Sequence, residues 1–140
     1  MKKIIAKSGY ANYMIDLESV TGNHLIADEP VKKGGGDHGF SPKEILASAL
    51  AACTNATVRI FANSKAWDLQ DVMVEIELVE VEGRTIFNRK ITFEGNLNGE
   101  ERSHLLTVAN SCPLLKILTH PITVNTSVIS PVSGIQADVQ

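Results

Sequence analysis

One continuous helical pattern, from Ser41 to Ser64, limits what this chain can fold into more than any other feature. Ser41 suits an N-cap, Pro42 suits the first helical position, and Glu44 completes a capping box with Ser41. Apolar residues then recur at three- and four-residue spacing, with one thiol among them: Ile45, Leu46, Ala49, Leu50, Cys53, Ala56, Thr57 and Ile60. The pattern predicts a central, largely buried helix that contains Cys53, and its alanines would let another element approach closely.

Length and charge exclude several classes of protein. A chain of 140 residues predicts one domain, 1–140, with a core but without room for a deep catalytic cleft. The net charge of −3 argues against nonspecific binding to nucleic acid, which needs a basic surface. The N-terminal apolar run is too short for a signal peptide, and no apolar run approaches the ~20 residues of a membrane span. We therefore expect a cytoplasmic protein without nucleic-acid or membrane partners, in which both cysteines are free or redox-active.

Alternating apolar residues predict two groups of strands around the helix. An antiparallel meander is predicted for residues 2–6, 11–18 and 23–28, and a strand pair for 72–82 and 85–94. The alternation changes phase at Leu78 and Val79, which predicts a bulge there. The glycine-rich segment 34–39 lacks the spacing of a phosphate loop and predicts a flexible connection.

Two further helices and a last strand complete the predicted order. A helix opens at Asn98 and ends near Ser111, and a short helix starts at Pro113 and stops at Pro121. Residues 122–129 are predicted as a strand and 131–140 as a tail. This order of elements predicts an α+β domain rather than an alternating βαβ one.

The two cysteines differ in their local surroundings. Cys53 lies in mid-helix on an apolar face, where the commonest outcome is a buried, inert thiol, and its activation would need a cation from elsewhere. Cys112 precedes Pro113 at a helix N-cap, where the partial positive charge of the helix favours a thiolate, and Lys116 lies on the adjoining turn. The residues alone therefore indicate that Cys112 is the more acidic thiol.

Other candidate side chains have plainer interpretations. Glu44 is nine residues before Cys53, so the two point to opposite sides of the helix, ~13 Å apart along its axis, and Glu44 could serve only another chain's Cys53. The four histidines show no metal-ligand spacing, and we expect neither metal nor cofactor. Arg89 shares a strand face with Ile91 and Phe93, where an arginine most often reaches out to solvent.

Taken together, four motifs resemble the OsmC/Ohr family: Asp28-Glu29-Pro30, the glycines before Ser41-Pro42-x-Glu44, Ala-Ala-Cys53, and Ala109-x-x-Cys112-Pro113. The resemblance spans nearly the whole chain. It implies an intertwined homodimer in which antiparallel sheets wrap around long central helices, with active sites between the subunits. It also implies that Cys53 is the peroxidatic thiol and Cys112 the resolving thiol, reducing organic hydroperoxides through an intramolecular disulfide.

Two positions depart from the family pattern. In hydroperoxide reductases of the family, a glutamate ten residues before the cysteine holds an arginine over the thiol. Lys43 occupies that position here, the catalytic glutamate is assigned to Glu44, and no arginine precedes Arg59. If the protein is a peroxidase, another cation must lower the pKa of Cys53, and Arg89 and Lys43 are the candidates.

We therefore expect a thiol peroxidase of the oxidative stress response. An apolar pocket for bulky hydroperoxides is predicted from Phe40, Leu50, Phe61 and Leu114. The expected partners are a second copy of the chain, an organic hydroperoxide and a dithiol reductant, such as a lipoyl-type one. The alternative is a non-enzymatic small-ligand carrier or redox sensor with the same fold, which the missing arginine favours and the presence of both cysteines disfavours.

Overall fold

The fold is α+β and built on antiparallel sheets, as the order of elements predicted. The computed structural model describes residues 1–9 and 12–129, and the backbone of 136–139. The elements in chain order are β1 (Ile4–Ser8), β2 (Ile15–Ser19), β3 (His24–Ala27), a short 3₁₀ helix (Val31–Lys33), α1 (Pro42–Ser64), β4 (Asp68–Val81), β5 (Arg84–Asn96), α2 (Gly99–Ala109), α3 (Pro113–Leu118), β6 (Thr126–Ile129) and β7 (Gln136–Val139).

The first three strands form the predicted antiparallel meander, in the order β1-β2-β3. Residues 10 and 11 lie outside the described residues. Of the predicted second strand, 11–18, residues 12–14 precede β2 and do not belong to it. The meander joins the rest of the chain through a bridge between Ala27 and Phe40. All of β1 is exposed, including Ile4 and Ile5. The meander therefore leaves apolar side chains without cover from its own chain.

The glycine-rich segment is a hydrogen-bonded loop, and the prediction of a flexible connection is wrong. The buried Asp28 carboxylate accepts hydrogen bonds from the backbone amides of Glu29, Gly36 and His38, at 2.8, 3.2 and 3.1 Å. A Cβ at Gly35 would collide with the backbone of Glu29, so glycine lets the loop fold back closely on itself. The loop thus holds a defined path from β3 to the start of α1.

Helix α1 begins as predicted. The amide of Ser41 donates to Glu44 Oε1 at 2.9 Å, and the amide of Glu44 donates to Ser41 Oγ at 3.3 Å, which is the complete capping box. Contrary to the expectation from the sequence, the helix has the length and mean hydropathy, 1.5, of a membrane span. Core helices of soluble proteins satisfy the same criterion, so this property does not set α1 apart from them.

The buried side of α1 differs from the predicted one. The fully buried residues repeat at four-residue spacing: Leu50, Thr54, Val58 and Ala62. Leu46 and Ile60, predicted in the buried stripe, are 42% and 69% exposed. Because β4, α2 and α3 pack against one side of the helix, the other side stays open in a single chain. The prediction of a largely buried helix is therefore wrong for the isolated chain.

The long hairpin β4–β5 forms the sheet against which α1 packs, and the two elements share one core with α2. The buried residues of this core are Val58, Ala62, Leu69, Val72, Leu105 and Ala109. The bulge predicted at Leu78 and Val79 is wrong, because these residues pair in continuous register with Phe87 and Ile86. The register instead shifts between Leu69 and Asp71, near the start of β4.

In the C-terminal part both helices agree with the prediction, but the strand predicted for 122–129 is shorter, since β6 begins at Thr126. Helix α2 ends at Ala109, slightly before the predicted Ser111, and Cys112 is the N-cap of α3 as predicted. β6 pairs with β7, so residues 136–139 belong to a hairpin rather than to a tail. Residues 130–135 and 140 lie outside the described residues.

Asp28→Asn should destabilise the protein, because an amide oxygen is a weaker acceptor than a carboxylate. The amide hydrogen bonds, above all that of His38, lower the pKa of Asp28 below its ordinary value. The charged form therefore adds stability above about pH 4, which is lost as the pH falls further through the folded-state pKa. Urea unfolding at neutral pH should show a lower midpoint for Asp28→Asn, with the difference narrowing in acid.

The matched control for this prediction is Asp37→Asn, which changes an exposed aspartate of the same loop. Its unfolding midpoint should stay close to that of the parent protein. Equal losses in both variants, or no loss in Asp28→Asn, would show that the Asp28 carboxylate does not hold the loop.

Candidate active site

The chain's two cysteines lie in contact where α1 meets α3. Cys53 is half-buried on α1, whereas Cys112, at the start of α3, is only 1% exposed. The two free thiols interact, and this interaction raises the pKa of Cys53 and lowers the pKa of Cys112. The structure therefore brings together the two thiols that the sequence singled out, although a hairpin and a helix separate them in the chain.

The surroundings of the pair favour negative charge on Cys112. Burial alone raises the pKa of Cys112, but hydrogen bonds from the Cys53 thiol, the amides of Leu115 and Leu114, and the Thr54 hydroxyl outweigh burial and lower it. Burial and the neighbouring Cys112 sulfur raise the pKa of Cys53. Cys112 is thus the more acidic thiol, which agrees with its position before the first amides of a helix.

Thr54 and Arg89 connect the thiol pair to the sheet and to α2. Thr54 follows Cys53 in α1 and is fully buried. Arg89 Nη1 donates to Thr54 Oγ1 at 3.0 Å and to the carbonyl of Ala109 at 3.2 Å, and Nη2 donates to Asn110 Oδ1 at 2.8 Å. The guanidinium is half-buried rather than extended into solvent, so the default interpretation of Arg89 from the sequence is wrong.

Sequence reasoning did not identify Thr54 or the amide of Leu114 as parts of the site. The available signal for Thr54 was a hydroxyl next to Cys53 in an otherwise apolar helix. No side-chain pattern could have indicated Leu114, because its contribution is a backbone amide.

The other predicted polar residues lie away from the thiols of their own chain. Lys43 Nζ pairs with Glu80 at 2.7 Å on the surface. Glu44 is held in the capping box, where the Ser41 amide lowers its pKa. In the described part of the chain, no hydrogen bond or ion pair joins Arg89 or Lys43 to the Cys53 sulfur. Neither candidate cation therefore contacts Cys53 directly.

The four residues predicted to form an apolar pocket occupy different surroundings. Leu50 is buried one turn before Thr54, and Phe40 is 49% exposed beside the loop. Phe61 packs edge-on against Trp67, with ring centroids 5.6 Å apart. Leu114 lies beside the thiols, to which it presents its amide.

A surface groove lies beside α3, the helix whose N-cap is Cys112. Its volume is about 620 Å³, and its lining residues are Ser111, Pro113, Lys116, Ile117, His120, Pro121 and Ile122. Ser111 and Pro113 flank Cys112 in the sequence, but neither cysteine is among the lining residues. Four of the seven lining residues are apolar, and Ser111, Lys116 and His120 are polar. Among the described residues, no cluster of histidine, cysteine or acidic side chains could hold a metal ion.

The two thiols should ionise in a defined order. In a Cys53→Ser variant, the Cys112 thiolate should form at lower pH than the Cys53 thiolate does in a Cys112→Ser variant. The reason is that hydrogen bonds outweigh burial at Cys112, whereas burial outweighs hydrogen bonds at Cys53. Ultraviolet absorbance of the thiolate against pH measures both midpoints without a reagent that must enter the core. The reverse order would show that a group outside this chain activates Cys53.

Comparison with known proteins supports the architecture described above. The family model for OsmC-like protein matches residues 34–127, which include α1 and both cysteines. No protein with a curated description matches the sequence.

Solved structures share the fold at low sequence identity. An osmotic stress induced and detoxification response protein of Psychrobacter arcticus 273-4 is 24% identical, with a TM-score of 0.71 over 86% of this chain and 88% of its own. An organic hydroperoxide resistance protein OsmC of Legionella pneumophila is 24% identical, with a TM-score of 0.56 over 84% and 89%. The organic hydroperoxide resistance protein OhrB of Bacillus subtilis is 20% identical, with a TM-score of 0.59 over 85% and 90%. These likenesses show a shared fold. Because the family model matches more than half of the chain, the chain belongs to the OsmC-like protein family.

Proposed function

We propose that the protein is a thiol peroxidase that reduces organic hydroperoxides, with Cys53 as the attacking thiol and Cys112 as the resolving thiol. The observation that carries this proposal is the contact between the two thiols at the junction of α1 and α3. Two relatives of the same fold are organic hydroperoxide resistance proteins. A sulfenic acid formed on Cys53 would have a thiol partner already within reach.

The proposed reaction balances with the two thiols and one external dithiol. The Cys53 sulfur attacks the peroxide and takes one oxygen, which breaks the O–O bond and releases the alcohol. The Cys112 sulfur then displaces the hydroxyl of the sulfenic acid, forming the Cys53–Cys112 disulfide and water. A dithiol, such as a lipoyl-type one, reduces this disulfide by exchange and is itself oxidised to a disulfide.

The more exposed thiol is the one that reacts with the peroxide, and the more acidic thiol is the one that carries the negative charge. Cys112 is the more acidic but is almost completely buried, whereas Cys53 is half-buried. Because the two thiols interact and Cys112 is the more acidic, the proton of Cys53 can pass to the Cys112 thiolate as Cys53 attacks. In this scheme Cys112 is first the proton acceptor and then the resolving thiol.

The groove beside α3 suits the apolar part of an organic hydroperoxide. It is lined by the two residues that flank Cys112 in the sequence and by Ile117 and Ile122, which are 54% and 63% exposed. Covering these side chains with a ligand would remove apolar surface from water, worth ~25 cal/mol per Å². We place the reaction in the cytoplasm, where free thiols stay reduced.

The second candidate function is a redox sensor or small-ligand carrier without significant turnover. The observation that favours it is the raised pKa of Cys53, caused mainly by burial. A thiol with a raised pKa is mostly protonated at neutral pH, and its attack on peroxide is slow in proportion. The family arginine that would counter burial has no counterpart before Arg59.

We also propose that the protein is a homodimer whose second copy covers the open side of α1. That side contains Leu46 and Ile60 and, between them, the small residues Ala49, Ala52 and Ala56, all of them exposed. The exposed apolar residues of β1 add to the surface that one chain leaves uncovered. Exposed apolar surface of this extent marks an association site.

Peroxide consumption tests the proposed activity. The reduced protein with cumene hydroperoxide and a lipoyl-type dithiol should consume peroxide catalytically, and Cys53→Ser should lower the rate by at least about a hundredfold, because it removes the nucleophile. Cys112→Ser should stop multiple turnover after a first fast reaction. Ser64→Ala, at the exposed end of the same helix, should leave the rate unchanged.

Two outcomes would contradict the proposed roles. A parent protein that consumes no peroxide beyond one equivalent would favour the redox sensor. Full activity in Cys53→Ser with loss in Cys112→Ser would exchange the roles of the two thiols.

Light scattering tests the dimer. The parent protein should have twice the mass of one chain at micromolar concentration, and Ile60→Asp should shift it toward the monomer, because a charge would be buried in the interface. Val81→Asp, at the exposed tip of the β4–β5 hairpin, is the control and should stay dimeric. A stable monomeric parent would contradict the proposal.

A further inference from the structure

The half-buried charge of Arg89 is directed at α1 and α2 without a neutralising carboxylate. Its guanidinium donates to Thr54 Oγ1, to the Ala109 carbonyl and to Asn110 Oδ1. All three acceptors are neutral, and among the described residues no ion pair within 4.0 Å includes Arg89. An arginine cannot lose its proton on burial, so this positive charge persists beside the site at every relevant pH.

The Thr54 hydroxyl has one proton and two possible acceptors for it. Arg89 Nη1 donates to Thr54 Oγ1, so the oxygen must direct its own proton elsewhere. The described acceptor is the Leu50 carbonyl, at 2.8 Å. The other possible acceptor is the Cys112 sulfur, whose pKa the Thr54 hydroxyl lowers. Arg89 and Cys112 also meet at one atom, because Arg89 Nη1 and the Cys112 amide both donate to the Ala109 carbonyl, at 3.2 and 3.4 Å.

We propose that Arg89 is a positioning residue for the thiol pair, because it holds the Thr54 hydroxyl oxygen in place. When the Cys112 sulfur becomes a thiolate, the hydroxyl proton of Thr54 turns from the Leu50 carbonyl to that sulfur. No covalent bond to Thr54 breaks in this step, because the hydroxyl only rotates. The proton lost by Cys112 goes to water. The inference deepens the proposed function, since it names what stabilises the charged form of the pair in place of the missing family arginine.

The other charged residues on the surrounding elements are engaged elsewhere or exposed. On α1, Glu44 bonds Ser41, Lys43 pairs with Glu80 on β4, and Arg59 donates to strand carbonyls. On α3, Lys116 is exposed, and on α2 the acidic residues lie in the first turn, at the end remote from Cys112. Arg89 on β5 is the charged side chain joined to the site through Thr54.

The test uses reduced protein without peroxide, so it can succeed or fail independently of turnover. All variants carry Cys53→Ser, which leaves Cys112 as the only thiol, and thiolate absorbance is followed against pH. Subtracting the spectrum of a variant that lacks both thiols removes the tyrosine signal. Arg59→Gln is the matched control, because Arg59 also donates to neutral acceptors, the carbonyls of Leu69 and Gln70, but not to Thr54.

Arg89→Gln and Thr54→Val should each lower the thiolate fraction at neutral pH by at least about threefold, since each removes a stabilising neighbour of the charged sulfur. The double variant should be no worse than either single variant, because both act through the same hydroxyl. Compared with Arg89→Gln and Thr54→Val, the conservative variants Arg89→Lys and Thr54→Ser should restore part or most of the Cys112 thiolate fraction. Arg59→Gln should leave it unchanged.

Two results would overturn the inference. One is an unchanged thiolate fraction in Arg89→Gln, or a change that Arg59→Gln reproduces. The other is equal fractions in Thr54→Val and Thr54→Ser, which decides the question even if circular dichroism shows that Arg89→Gln does not fold.

Discussion

The phase of helix α1 is the constraint on which the rest of the structure depends. Burial of Leu50, Thr54, Val58 and Ala62 against the β4–β5 hairpin and α2 fixes the rotation of the helix about its axis. Each fully buried Leu or Val contributes about 1.5–3 kcal/mol relative to exposure, so this rotation is strongly specified. Because successive residues differ by ~100°, Cys53 falls at the edge of the buried face, where α3 places Cys112 against it.

Two thiols in contact cannot both ionise freely, so the surroundings decide how they divide one negative charge. The amides that begin α3 favour Cys112, and burial disfavours Cys53. Access of the peroxide favours Cys53, because Cys53 is the more exposed thiol. In the proposed mechanism this division is useful, since the buried sulfur holds the charge, accepts the proton of Cys53 and is then positioned to form the disulfide. Arg89 and Thr54 would stabilise that charge from the side of the sheet.

Local features were predictable from the sequence, and contacts between distant segments were not. The capping box at Ser41 and the N-cap at Cys112 depend on residues within a few positions, so local rules predicted both. The contact of Arg89 with Thr54 arises only when α1 packs on the sheet, which side-chain spacing cannot reveal. The stripe through Ala49 and Ile60 was assigned to the core because periodicity shows that a face is apolar, not whether its own chain or another copy covers it. The fold class was predictable from the order of strands and helices, because that order does not depend on which face of a helix is buried.

Mass spectrometry of the reduced protein after one equivalent of cumene hydroperoxide tests the central claim, that Cys53 and Cys112 are a redox pair, most directly. The predicted product is a single intramolecular Cys53–Cys112 disulfide, formed without loss of either thiol to higher oxidation states, because the two sulfurs already lie in contact. Sulfinic or sulfonic acid on Cys53, with Cys112 still a free thiol at limiting peroxide, would contradict it.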